Sequence, residues 1–66
     1  LIPKAPLARI LINAGAKRVS ADALDEFAET LMQIAEDISE QAAKIAKHSG
    51  RKTIHESDIK LAAKVS

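Results

Sequence analysis

Apolar residues recur along this chain with the period of an α-helix, in three blocks separated by two short polar connectors. In the first block Leu7, Ile10, Leu11 and Ala14 fall at helical spacing. Pro3 and Pro6 each suit a first helical turn, and Gly15 stands where a helix C-cap is expected. Residues 16–19 make the first connector. Ser20 then offers its hydroxyl to the free amides of a second helix, with Asp22, Asp25 and Glu26 near the positive end. Within it Leu24, Leu31, Ile38 and Ile45 recur every seven residues, and Phe27, Ala28, Ile34, Ala35 and Ala42 fill the stripe between them. Neither Gly nor Pro interrupts before Gly50, which predicts a helix of about 27 residues and about 40 Å. Beyond the connector 50–54, a last helix is expected from about Glu56 to Lys64, with His55 as N-cap and Asp58 at its N3 position.

Short, long, short is a poor recipe for a self-contained bundle, because two short helices cannot cover the stripe of one so long. The pattern therefore predicts an all-α single domain over 1–66 that pairs symmetrically. Two long helices would cross antiparallel, and each chain's short helices would cover the other's stripe. Leu24, Phe27, Leu31, Ile34 and Ile38 are its expected dimer core; a monomeric three-helix bundle is the alternative. Size argues the same way. A chain of 66 residues buries only about 60% of its unfolded surface and needs support, which zero cysteines and two histidines do not supply as disulfides or a metal. The longest run of large apolar residues is Ile10-Leu11-Ile12, so no membrane span is expected and the chain reads as a soluble, intracellular protein.

The formal net charge of +1 offers little attraction for a polyanion, but its distribution is uneven. Residues 1–19 carry Lys4, Arg9, Lys17 and Arg18 without an acid. Residues 20–43 carry seven acids without a base, and Lys44 to His55 carry Lys44, Lys47, Arg51 and Lys52 without an acid. In an antiparallel pair the connector at Lys17 and Arg18 would lie beside the one at Arg51 and Lys52 of the other chain, with Arg9 between the two ends. Spaced basic zones of this kind suit the phosphates and inward-facing minor grooves of a bent duplex. Complementing the dipole of the long helix explains Asp22, Asp25, Lys44 and Lys47 equally well, but leaves the acid-free connectors without a reason.

Several segments carry a resemblance: Pro3, Pro6 and Arg9; Ala14-Gly15-Ala16 with Arg18-Val19-Ser20; and His48-Ser49-Gly50-Arg51-Lys52-Thr53-Ile54 followed by Asp58-Ile59 and Leu61-Ala62. Over essentially its whole length the chain resembles the archaeal histones. The resemblance implies a histone fold, homodimers or heterodimers with related histones, and double-stranded DNA wrapped in a superhelix around stacked dimers. It implies that Arg9 and Arg18 line the minor groove, that Lys52 binds phosphate, and that Thr53 pairs with Arg18 of the partner subunit; Lys17 joins them by its place in the first connector. Arg51 and Asp58 resemble an internal clamp of the second connector, whose alternative is an ordinary surface pair. Gly15 resembles the small residue that lets superhelical layers approach, alongside its role as a cap. Association with the chromosome in the cytoplasm is implied, without cofactor, metal, membrane or small-molecule substrate. His55 stands where many members carry Lys, Met32-Gln33 where members often carry two glutamates, and no basic cluster follows Leu61. Weaker, more salt-sensitive DNA binding is expected to follow.

Spacing also suggests a dimer-to-dimer contact. Ile45 and His48 are three residues apart, as are Asp58 and Leu61, so each pair shares a helical face; the resemblance points to the same four positions. The alternative makes Ile45 and Leu61 internal core of the dimer. No nucleophile paired with a base and no Gly-rich phosphate loop is present, which speaks against an enzyme. The remaining competitor is a histone-fold pairing module of a transcription-factor-like complex with little DNA contact, against which Arg9, Arg18, Lys52 and Thr53 together weigh.

Overall fold

The computed structural model describes residues 2–65 and contains α1 (Lys4–Asn13), α2 (Ala21–His48) and α3 (Glu56–Val65). Among the described residues there is no strand. The expected order of a short, a long and a short helix is what forms, with α3 one residue longer than the pattern suggested.

Local chemistry accounts for each boundary. Pro3, at φ −58°, is the N-cap of α1, and Pro6 sits within the first turn, where a missing N–H leaves no helical bond unmade. Both α1 and α2 stop in the same way. The Ala16 N–H donates to the Leu11 carbonyl at 3.2 Å and the Gly15 N–H to Ile12 at 3.0 Å, with Gly15 at φ +125°. Likewise the Arg51 N–H donates to Ala46 and the Gly50 N–H to Lys47, both at 2.9 Å, with Gly50 at φ +73°. This double closure satisfies otherwise orphaned carbonyls and needs positive φ at one residue, which glycine supplies without a Cβ penalty. α2 begins at Ser20, whose Oγ accepts the Ala23 N–H at 3.1 Å. The His55 carbonyl accepts the Asp58 and Ile59 N–H groups at the start of α3, while the Asp58 carboxylate accepts the His55 N–H at 2.7 Å. That reciprocal exchange is the acid's N3 role at the helix start.

Packing divides the described helices into two units, one up to Met32 and one from Gln33 onward. In the first, Leu7 of α1 is buried, Leu11, Leu24, Phe27 and Leu31 are half-buried, and Lys4 forms an ion pair with Asp25. In the second, the buried residues are Ala42 and Ala46 of α2 with Ala62 and Asp58 of α3. Small side chains there let two helices approach closely, but they bury little apolar area.

No large side chain among the described residues is fully buried. None of the five positions expected to form a dimer core is buried within the chain, and Ile34 is 46% exposed. Ile10, Ile12, Met32, Ile54, Ile59, Leu61 and Val65 are also exposed. At roughly 25 cal/mol per Å² of apolar surface, so small a core is a weak driving force for a lone chain. Among the described residues, no helix is long and apolar enough to cross a membrane.

Candidate nucleic-acid interface

Besides Lys4, the first unit places three cations at the surface: Arg9 on α1, and Lys17 and Arg18 on the connector released by the Gly15 turn. Arg9 points outward because Leu7, two residues earlier and about 200° away around the helix, is the side that α1 buries. A Cβ at Gly15 would meet nothing within 4 Å, so its positive φ and not crowding within the chain calls for glycine.

In the second unit the connector is drawn around Asp58. Arg51 donates from Nη1 to Oδ2 and from Nη2 to Oδ1, each at 2.9 Å, and Nη1 also donates to the Thr53 carbonyl at 3.0 Å. With the His55 N–H added, the carboxylate receives three donors, and its side chain is only 3% exposed. The Arg51 hydrogen bonds, followed by the one from His55, hold the Asp58 carboxyl down at about 2 against the opposing effect of burial. Arg51 is in turn raised, chiefly by its hydrogen bond to Asp58. The planar guanidinium spans seven residues of sequence and fixes the loop shape. Lys52 and Thr53 between them keep exposed side chains.

Ten lysines and arginines are available, and three are engaged: Lys4 with Asp25, Arg51 with Asp58, and Lys60 with Glu56. Among the described residues the other seven form no ion pair: Arg9, Lys17, Arg18, Lys44, Lys47, Lys52 and Lys64. Six of these lie in the two acid-free stretches. Cations without a protein partner are those able to release counterions on meeting phosphate. No Asn, Gln or large aromatic side chain lies in either connector, so the surface has the means to grip a backbone and few to read base edges.

Of the four positions expected to join dimers, all belong to the second unit: Ile45 is half-buried, His48 and Leu61 are exposed, and Asp58 is buried. Both Asp58 oxygens already accept hydrogen bonds within the chain. Two features escaped the sequence. Lys4 counted there as a basic residue of the first stretch, yet it is neutralised by Asp25, twenty-one positions away with no local signal of contact. The second is the Thr53 contribution, a backbone carbonyl to Arg51, which no side-chain pattern announces.

The family model described as histone-like transcription factor (CBF/NF-Y) and archaeal histone matches residues 1–63. The chain is 43% identical over 63 residues to one subunit of the archaeal histone HAN1 of Thermococcus zilligii, covering 96% of this chain and 94% of that one. It is 48% identical over 61 residues to probable archaeal histone 3 of Methanocaldococcus jannaschii, covering 92% and 91%. From the same organism, DNA-binding protein HmvA is 38% identical over 60 residues, which span 91% of this chain but 62% of that longer one.

Proposed function

Because the chain belongs to the family that unites the histone-like CBF/NF-Y transcription factors with the archaeal histones, we propose that it is an architectural DNA-binding protein. It acts as a dimer that wraps double-stranded DNA without reading its sequence. The observation that carries this reading is the set of unpaired cations on the two connectors, with Arg9 exposed on the helix before the first. The stripe Leu24, Phe27, Leu31, Ile34 and Ile38, none of it fully covered by its own chain, supports pairing, since a second long helix is the partner of matching length. In the pair, Arg9 and Arg18 enter or line the minor groove, Lys17 and Lys52 bind phosphate, and Thr53 meets Arg18 of the partner subunit. Arg51 and Asp58 keep the second connector in shape. Neighbouring dimers meet through Ile45, His48, Asp58 and Leu61, and Gly15 allows layers to approach.

The family also takes in histone-like transcription factors, and the net charge of only +1 favours a second reading, a histone-fold pairing module with little DNA contact. One experiment separates the two. Closed-circular plasmid is relaxed by a topoisomerase with the protein bound and then stripped of protein. Wrapping leaves a changed linking number; binding without such a change removes wrapping, and no binding to any duplex at low salt leaves the pairing module.

A further inference from the structure

We propose that Val65 is a further residue of the contact between dimers: with Leu61 it makes an apolar stripe on α3 that meets the same stripe of a second dimer and joins the two without DNA. The inference rests on the reading in which dimers meet through the end of α2 and α3, and it adds a residue and a driving force to that surface.

The two edges of α3 motivate it. Ala62 is fully buried, so the side of α3 that carries it is already filled within the chain. Exposed apolar residues flank that side on both edges. Ile59 lies about 60° around the helix from Ala62 in one direction, and Leu61 and Val65 lie about 100° and 60° from it in the other. Leu61 is 49% exposed, and Val65, at 68%, is more exposed than any other large apolar side chain among the described residues. A single partner helix laid against α3 covers one of these edges and leaves the other.

Position selects the edge that is left. Asp58, Leu61 and Val65 follow one another at spacings of three and four, the period of a seam between helices. This edge is on the side of Asp58, and therefore of the connector that Arg51 anchors just beyond the end of α2. Two long helices that cross at their middles are furthest apart at their ends, so the pairing helix is most distant there.

Charge decides what can cover it. Asp58 is the one ionisable residue of the seam, and its carboxylate is neutralised by Arg51 and nearly buried. Lys60 and Lys64 lie about 160° from Ala62, on the outward face, where Lys60 pairs with Glu56. A seam without net charge gives a phosphate or a basic segment nothing to hold. Set against its own copy, it meets no like charge, and in a two-fold contact Leu61 and Val65 each count twice.

The test measures mass against protein concentration without DNA, by sedimentation equilibrium, for wild type, Val65→Ser and Val65→Ile, with urea unfolding of each in parallel. Wild-type dimers should join into tetramers and larger species by about 1 mM, the weak end of specific association. Being apolar, the contact should persist in about 1 M salt, where charge contacts are screened. Val65→Ser removes one apolar side chain from each copy and should raise the concentration needed roughly tenfold or more, with dimers still folded; Val65→Ile should join at or below the wild-type concentration. Wild type that stays dimeric to about 1 mM overturns the proposal, as do tetramers that dissolve in salt or survive Val65→Ser unchanged. Dimers that fall apart in Val65→Ser assign the residue to the pairing of chains and overturn it as well. Wild type that remains monomeric removes the pairing reading and this proposal together.

Discussion

Replacing Ile34 by Ala tests whether the stripe of α2 is covered by a second chain. Ile34 is 46% exposed in the single chain. A fully buried Ile→Ala change costs about 2–5 kcal/mol, so a side chain about half covered should lose about 1–2 kcal/mol, less a few tenths for the better helix propensity of Ala. If a partner covers it, both copies lose a buried side chain and the dimer loses about 4–10 kcal/mol. That is a large share of the roughly 7–20 kcal/mol expected for two chains of this size. The assay is urea unfolding followed by circular dichroism at two protein concentrations tenfold apart. For a folded dimer in equilibrium with unfolded chains, tenfold dilution lowers apparent stability by about 1.4 kcal/mol. Ile12→Ala is the control: Ile12 is 49% exposed but lies about 140° around α1 from Leu7, away from the buried face, and should cost about 1 kcal/mol or less. A midpoint that ignores concentration, together with an Ile34→Ala loss no greater than that of Ile12→Ala, refutes the argument.

Other outcomes follow from the connectors. Arg18→Ala, which removes an exposed and unpaired side chain, should leave the melting temperature nearly unchanged and weaken duplex binding; Arg51→Ala should lower the melting temperature as well, because Asp58 loses two of its three donors in a nearly buried position. Equal melting temperatures for the two variants would contradict this division. Because the Asp58 carboxyl is held at about 2, below its usual 3.8, its ionised form favours the folded state above pH 3.8, and that contribution fades as pH drops toward 2. Asp58→Asn should therefore melt with a shallower dependence on pH across this window than wild type, and an unchanged slope would count against the role given to Arg51. Nuclease digestion of saturated DNA should give protected fragments that lengthen in dimer-sized steps for wild type, whereas His48→Ala with Leu61→Ala should bind yet lose the longer fragments; an identical ladder places dimer joining on another surface.

Helix ends were the most legible part of the chain, because Gly15, Ser20, Gly50 and Asp58 act through local backbone chemistry that spacing reveals. The length of α2 followed from the absence of Gly and Pro between two such signals. What the stripe did not disclose was which of its positions one chain covers. Periodicity marks Leu24, Ile38 and Ala42 alike as apolar-facing, yet Ala42 is fully buried while Leu24 and Ile38 remain half-exposed, a difference that depends on where α1 and α3 lie. Side-chain charge was legible as a sum over segments but not as pairs. Lys4 and Asp25 meet only because the chain turns back between α1 and α2, whereas Arg51 and Asp58 meet across one loop.

The most direct test of the central claim is the salt dependence of binding to random-sequence duplex. With Arg9, Arg18 and Lys52 from both chains on about six phosphates, log affinity should fall against log salt with a slope of about −5, equally for unrelated sequences. A slope near zero, or strong preference for one unrelated sequence over another, would contradict an architectural DNA-binding protein held by its connectors.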